Sequence, residues 1–177
     1  MTTREQRIAK FNANRPVYQA VPKAESLART AKDRKLCASL EEAIKRSGLK
    51  DGMTVSFHHA FRAGDFIVNM VMDKIAEMGF KNLTLASSSL IDSHHPIINH
   101  IKNGVVTKIY SSGLRGELAE QISRGLLDEP VNIHSHGGRV HLVKSGELKI
   151  DVAFLGVPCC DKFGNANGFS GKSKCGS

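Results

Sequence analysis

The sequence predicts an α/β fold with an open, mostly parallel sheet flanked by helices. From residue 51 onward, short apolar runs alternate with helical patterns at close spacing, an order typical of βαβ units. Small polar residues, glycine and histidine follow these apolar runs. Because ligands bind beyond the carboxyl ends of the strands in such sheets, the same residues are the first candidates for function.

The first forty residues are predicted to form a basic N-terminal extension, and residues 41–177 the α/β domain. Residues 1–50 contain 12 Lys/Arg and 5 Asp/Glu, against 13 and 12 in residues 51–177. The net charge of +8 therefore belongs mainly to the N-terminal segment, where Pro16 and Pro22 interrupt any long helix. The charges are scattered, and only Phe11 and Tyr18 interleave with them, which favours a solvated or docking extension over a nucleic-acid-binding arm.

Local signals define the helices of the domain. Ser39 and Glu42 form a capping box that begins the first helix, and Gly48 ends it. Asp65 begins the second helix, and Gly79 follows its end. The second helix has one apolar stripe, made by Ile67, Val68, Val71, Met72, Ile75 and Met78.

Two further helices follow. Ser93 is expected to cap the first of them, with Pro96 near its first turn and Gly104 after it. Apolar residues four positions apart predict the second, and these are Leu114, Leu118, Ile122 and Leu126.

Short apolar runs predict the strands, at residues 53–57, 83–86, 105–110, 131–134, 140–143 and 152–157. None of the runs is long enough to span a membrane, and no secretory signal is expected. The four cysteines show no small-scaffold spacing, so they are interpreted as reduced in a cytoplasmic protein.

The loop after the first strand is the strongest functional signal. It contains His58, His59, Phe61 and Arg62, and it leads through Gly64 into a predicted helix N-terminus. A helix N-terminus offers free N–H groups, and arginine adds a fork suited to carboxylates. The loop is therefore predicted to bind an anion or a developing oxyanion. The alternative is a basic surface turn.

Other chemistries receive less support. Gly171-Lys172-Ser173 suggests a phosphate loop, but that motif requires glycine where this chain has Ala166. His134 and His136 have the spacing of one ligand pair, but no second pair with zinc spacing is found among His58, His59, His141, Cys159 and Cys160, so no metal is expected. Cys159 or Cys160 could serve as a nucleophile with a histidine base, although a small cysteine after a strand is more often structural.

Long segments of the chain resemble the alpha chains of bacterial citrate lyases. They are DGMTVSFHH at 51–59 with Phe61-Arg62, NLTLASSS at 82–89, HIKNGVV at 100–106, SGLRG at 112–116, IHSHGGRVHL at 133–142, FLGVPCCD at 154–161 and GNANG at 164–168. The resemblance covers nearly the whole chain. It implies the first domain of a CoA transferase-like protein, in a class with two similar α/β domains.

The resemblance implies a reaction and its partners. An acetyl group on an acyl carrier (gamma) subunit is exchanged for citrate, which gives the citryl carrier and acetate; a beta subunit then cleaves the citryl carrier to oxaloacetate and the acetyl carrier. The thioester is borne by a CoA-like phosphopantetheine group of the carrier, or by CoA, with no cofactor bound covalently to this chain. An oligomeric complex is expected, without nucleic acid or membrane.

The resemblance also implies roles for particular loops. The first loop would contact the oxyanion and the acyl carboxylates. The loops on the thioester side would contribute Ser87, Ser88, Ser89, Gly113, Gly137, Gly138, Asn165 and Asn167. The glutamate nucleophile of the class is expected in a second domain beyond residue 177, because no glutamate in this chain lies in a matching motif. The 177-residue chain alone is therefore expected to be inactive, and a non-catalytic binding or scaffold fragment is the alternative.

Overall fold

The computed structural model describes residues 3, 5–6, 35–58 and 66–167. The chain divides into two units, residues 1–33 and 34–177, and the α/β domain lies in the second. The predicted extension, residues 1–40, lies mostly outside the described residues and stays a prediction. So do the predicted start of the second helix at Asp65 and the Gly171-Lys172-Ser173 segment.

The helices and strands alternate along the chain as predicted. They are α1 Leu40–Ser47, β1 Thr54–His58, α2 Ile67–Glu77, β2 Leu83–Ser87, a 3-10 turn Asp92–His94, α3 Ile97–Lys102, β3 Val106–Ser111, α4 Gly116–Ser123, β4 Asn132–Ile133, α5 His136–Ser145, β5 Val152–Leu155, β6 Cys159–Cys160 and β7 Ala166–Asn167.

Strand β1 lies inside a parallel sheet, between β2 and β5. Within the described residues the sheet has five strands in the order β4-β3-β2-β1-β5, and every neighbouring pair is parallel. Val55 of β1 is in register with Leu85 on one side and Val152 on the other. This confirms the predicted α/β class, and it places the carboxyl ends of all five strands at one edge.

The core forms where the central strands meet the apolar faces of the helices. Val55, Leu85 and Ile109 are fully buried on three adjacent strands. Helix α2 buries four of its six predicted stripe residues, Val68, Val71, Met72 and Ile75. Runs of apolar residues in the central strands fit a parallel sheet, because such strands are buried on both faces.

Helix α1 begins and ends where its sequence predicts. Ser39 Oγ accepts a hydrogen bond from the Glu42 N–H (3.1 Å), and Glu42 Oε2 accepts one from the Ala38 N–H (2.7 Å). Gly48 ends the helix with φ of +74°, a left-handed conformation that glycine adopts without strain.

The strand predicted over residues 140–143 is wrong, because these residues lie inside helix α5. Ser135 caps that helix through a hydrogen bond from the Gly138 N–H to its Oγ (2.9 Å), and Gly146 ends it with φ of +86°. Val140 and Val143 are 59% and 44% exposed, so no sheet covers them. The caps at both ends outweigh the strand preference of the two valines.

Ser93 does not cap a helix, contrary to the prediction. It lies within the 3-10 turn, and helix α3 begins at Ile97 directly after Pro96. Proline fixes φ near the helical value and needs no N–H partner in a first turn, so Pro96 supplies the helix start that the sequence pattern assigns to Ser93.

Asp151 joins the start of β5 to the start of β1 by two hydrogen bonds. Its Oδ2 accepts a hydrogen bond from the Thr54 N–H (2.9 Å), and its own N–H donates to the Thr54 carbonyl (3.2 Å). Lys149 Nζ lies 2.7 Å from Asp151 Oδ1, and the carboxyl side chain is only 13% exposed. The Lys149 ammonium, and next the Thr54 N–H, hold the pKa of Asp151 below its usual value.

We expect Asp151→Asn to lower the free energy of unfolding at pH 7 by about 1 kcal/mol, because the amide loses the charge that Lys149 and the Thr54 N–H stabilise. A carboxyl whose pKa is depressed by folding stabilises the protein above its unfolded pKa, and this contribution is lost as the pH falls through the folded pKa. The difference between variant and native protein should therefore be complete above about pH 5 and vanish in stronger acid.

Urea unfolding measured between pH 7 and pH 2 checks this expectation. Asp128→Asn is the matched control, because it removes an exposed carboxylate and should change stability little. A difference for Asp151→Asn that is independent of pH would contradict the assignment.

Candidate functional site

The carboxyl edge of the sheet gathers the loops that follow β2, β3 and β4. The Ser112 N–H donates to the Ser88 carbonyl (2.8 Å), and the His134 N–H donates to the Ser111 carbonyl (3.0 Å). These backbone hydrogen bonds join the three loops into one continuous surface.

Two buried serines build the loops at this edge. Ser87 Oγ donates to the Ser89 carbonyl (3.2 Å), and Ser111 Oγ donates to the Gly113 carbonyl (2.9 Å). Both serines are fully buried, and they are in register on neighbouring strands. Each hydroxyl is therefore used to close its own turn.

Helix α5 begins beside these loops and sends Arg139 back to the centre of the sheet. Arg139 Nη2 donates to Ser56 Oγ of β1 (2.8 Å) and lies 3.4 Å from the Ala86 carbonyl of β2. Its Nη1 is buried, with no hydrogen-bond partner in the described part of the chain. Burial lowers the pKa of Arg139, but a guanidinium remains charged at neutral pH.

Two other polar atoms at this edge are, like Arg139 Nη1, buried without a hydrogen-bond partner in the described residues. Neither Ser88 Oγ nor His134 Nε2 has a hydrogen-bond partner among residues 35–58 and 66–167. Buried polar atoms are usually hydrogen-bonded, so these three exceptions, in the loop after β2, the loop after β4 and helix α5, indicate a place where a ligand supplies the missing partners.

Of the two glycines at the start of α5, Gly137 leaves space at the same edge and Gly138 is crowded. At Gly137 an added Cβ would have no heavy atom within 4 Å. At Gly138 it would lie 3.1 Å from Ser135 Oγ. The backbone at neither glycine is left-handed, so glycine at 137 is required neither by conformation nor by crowding.

The predicted first-loop residues are described only at His58. It ends β1 at the carboxyl edge and is half-buried. His59, Phe61, Arg62 and Gly64 lie outside the described residues, and their roles stay predictions.

The predicted thioester-side residues fall into two groups. Ser87, Ser88, Ser89 and Gly113 lie at the carboxyl edge, as do Gly137 and Gly138 through the start of α5. Asn165 and Asn167 lie in the β6–β7 hairpin. There the Asp161 carboxylate accepts hydrogen bonds from the backbone N–H and the side-chain amide of Asn165 (2.9 and 2.7 Å).

Arg139 is the residue that sequence reasoning misses. Because a strand is predicted over 140–143, Arg139 is assigned to the loop before that strand and to no helix. Nothing in this prediction distinguishes Arg139 from the other residues of that loop. The signal that would have found it is the segment Ser135-His136-Gly137-Gly138-Arg139. In this segment Ser135 caps a helix, and Arg139 is a cation near the helix start.

Neither a metal site nor a membrane-spanning helix is found in the described part of the chain. No group of three or more His, Cys, Asp or Glu side chains is arranged to hold a metal ion among those residues. No helix found among them is long and apolar enough to cross a membrane.

Comparison with known proteins identifies one family. The family model described as the citrate lyase alpha subunit (CitF) matches residues 33–177. The chain is 90% identical over 177 residues to the citrate lyase alpha chain of Haemophilus influenzae, and 70% identical over 178 residues to that of Escherichia coli. These alignments cover 100% and 98% of this chain but 35% of each relative, so the chain spans about a third of their length.

A solved structure agrees with these relatives. The crystal structure described as the citrate lyase alpha subunit of Streptococcus mutans in complex with citrate matches with a TM-score of 0.79 and 54% sequence identity. The match covers 84% of this chain and 29% of that one.

We expect Gly137→Ala to raise the free energy of unfolding by about 0.4–1 kcal/mol, because alanine restricts the unfolded chain and meets open space in the helix. Gly146→Ala is the matched control at the other end of α5. Its φ of +86° should make alanine destabilising by about 1–2 kcal/mol. Chemical denaturation of both variants measures the two effects, and a loss of stability at residue 137 would show that its glycine is needed by the fold.

Proposed function

The chain belongs to the citrate lyase alpha subunit family, and from this we propose that it takes part in acyl exchange on an acyl carrier. In the proposed reaction, the thioester bond of the acetyl carrier is broken and citrate forms the new thioester. The products are the citryl carrier and acetate, so the acyl groups balance without an oxidant or reductant.

The family match over residues 33–177 carries the proposal. Citrate in the described Streptococcus mutans structure supports a tricarboxylate as the acyl acceptor. The partners proposed with it are a beta subunit that cleaves the citryl carrier and a gamma subunit that presents the thioester, in an oligomeric cytoplasmic complex.

The geometry of the carboxyl edge supports a thioester substrate with an anionic acceptor. Open space beside Gly113 and Gly137 leaves room for a slender phosphopantetheine or CoA arm. The positive N-terminal end of α5 favours negative charge at the acyl group. In this proposal the chain's own residues bind and orient the acyl groups, and the CoA-like arm supplies the thioester.

An exchange assay tests the proposed reaction. An alpha subunit of the relatives' length that carries this sequence is mixed with acetylated carrier and citrate, and mass spectrometry follows the carrier. Conversion of acetyl carrier to citryl carrier, with release of acetate, is the expected result. Acetyl carrier that stays unchanged in the presence of citrate would contradict it.

The 177-residue chain is assayed beside the longer subunit. We expect no exchange from it, because none of its glutamates lies in a motif that matches the nucleophile of the class. Turnover by this chain alone would place the nucleophile within it, whereas citrate binding without turnover is the result expected of a binding fragment.

Arg62 provides a residue-level prediction. If its guanidinium contacts a citrate carboxylate, Arg62→Ala loses a charged hydrogen bond worth about 1.5–3 kcal/mol. This corresponds to a loss of about tenfold to a hundredfold in kcat/KM for citrate. The acetyl-thioester half-reaction should lose less, because acetate has no further carboxylate.

Both half-reactions are measured for Arg62→Ala and Arg62→Lys, and for Arg124→Ala as an exposed control. Lysine keeps the charge without the planar fork, so partial recovery is expected. Equal losses in the two half-reactions, or no loss in either, would remove Arg62 from citrate recognition and leave it a role at the start of the helix.

A further inference from the structure

We propose that Arg139 binds a carboxylate of the acyl acceptor at the carboxyl edge of the sheet, an inference that rests on the proposed function. One terminal nitrogen, Nη2, is held by Ser56 Oγ and the Ala86 carbonyl on the two central strands. The other, Nη1, is buried with no partner in the described residues. The guanidinium is thus fixed in place while one of its donors remains available.

The electrostatics of Arg139 favour an anionic ligand over a purely structural role. None of the ion pairs found among the described residues includes Arg139. Its two acceptors are a neutral hydroxyl and a neutral carbonyl, which do not balance its charge. Because a partly buried cation without a counter-ion is costly, a bound carboxylate would supply both the missing charge and the missing acceptor.

Other groups at the carboxyl edge can complete such a site. Ser88, which is only 8% exposed, and His134 each have a buried polar atom without a partner in the described ranges. The open space at Gly137 lies on the same helix start, two residues before Arg139. These observations do not depend on the guanidinium itself, and they point to a polar ligand at the same edge.

A carboxylate is one of two anions in the proposed reaction, and the phosphate groups of the CoA-like arm are the other. We assign Arg139 to the carboxylate because Ser56 and Ala86 fix its guanidinium on β1 and β2, close to the carboxyl edge at which the acyl groups are proposed to bind. Inorganic phosphate then serves as the probe for the other source.

The test measures citrate binding by calorimetry to an alpha subunit of the relatives' length that carries this sequence. Arg139→Gln should weaken citrate binding about tenfold to a hundredfold, as expected when a charged hydrogen bond is lost. Arg139→Lys should weaken it less, because the charge remains but the fork does not. Lys144→Gln is the matched control, since it removes one positive charge from an exposed position on the same helix. It should leave affinity within about twofold.

Thermal unfolding separates binding from folding. Without citrate, Arg139→Gln should unfold close to the native temperature, because removal of a partly buried cation without a counter-ion offsets the loss of its contacts with Ser56 and Ala86. With saturating citrate, the native protein should gain more stability than the variant, since the gain follows affinity. A variant that unfolds earlier, and whose lost affinity Arg139→Lys does not restore, would assign Arg139 a structural role and overturn the inference.

The remaining outcomes distinguish this inference from the proposed function. If the native protein does not bind citrate, the proposed function fails and this inference fails with it. If the native protein and Arg139→Gln bind citrate equally, only the role of Arg139 is overturned. If the substitution abolishes phosphate binding and leaves citrate binding intact, Arg139 binds the thioester arm and the carboxylate assignment is wrong.

Discussion

Parallel pairing of β1 with both β2 and β5 is the constraint on which the rest of the structure depends. Parallel strands end at the same edge, so the loops that follow them meet whatever their separation in sequence. Ser56 and Arg139 are 83 residues apart, yet they lie within hydrogen-bond distance because α5 leads from β4 at one edge of the sheet to β5 beside β1. The same pairing buries the apolar strands that supply the core, so stability and the assembly of the site share one cause.

Helices α2 and α5 are stabilised differently. Helix α2 buries five residues against the sheet, whereas α5 has no fully buried residue along its length. Among the described contacts, α5 is held at its start by its Ser135 cap and by the polar bonds of Arg139. Polar contacts of this kind stabilise less than apolar burial does. Helix α5 is therefore the less stable of the two helices. Ligand-binding segments are usually found among the less stable parts of a fold.

Local sequence signals are sufficient wherever the structure is decided locally. The cap at Ser39, the apolar stripe of α2 and the runs that form β1 to β3 are predictable because each depends on residues within a turn or a strand. Helix α5 is missed because its valines favour a strand, and its caps decide the outcome. The position of the Arg139 side chain has no local signal, since its partners lie on strands 83 and 53 residues earlier. The first loop is singled out by its composition, and of its selected residues only His58 is among the described ones.

The serines at the carboxyl edge differ in whether their buried hydroxyls have a hydrogen-bond partner. Ser87 and Ser111 each donate to a carbonyl two residues ahead, so neighbouring strands end in the same turn and both hydroxyls are satisfied. Ser88 follows directly, and its buried hydroxyl has no partner in the described structure. A buried polar group left unpaired costs about 1–3 kcal/mol of stability. Alanine at position 88 would avoid this cost, so the serine is better explained by a ligand than by the stability of the fold. The cost is repeated at His134 and Arg139 on the same edge. Three such atoms at the end of the sheet where parallel α/β folds bind ligands favour a ligand site over an ordinary set of turns.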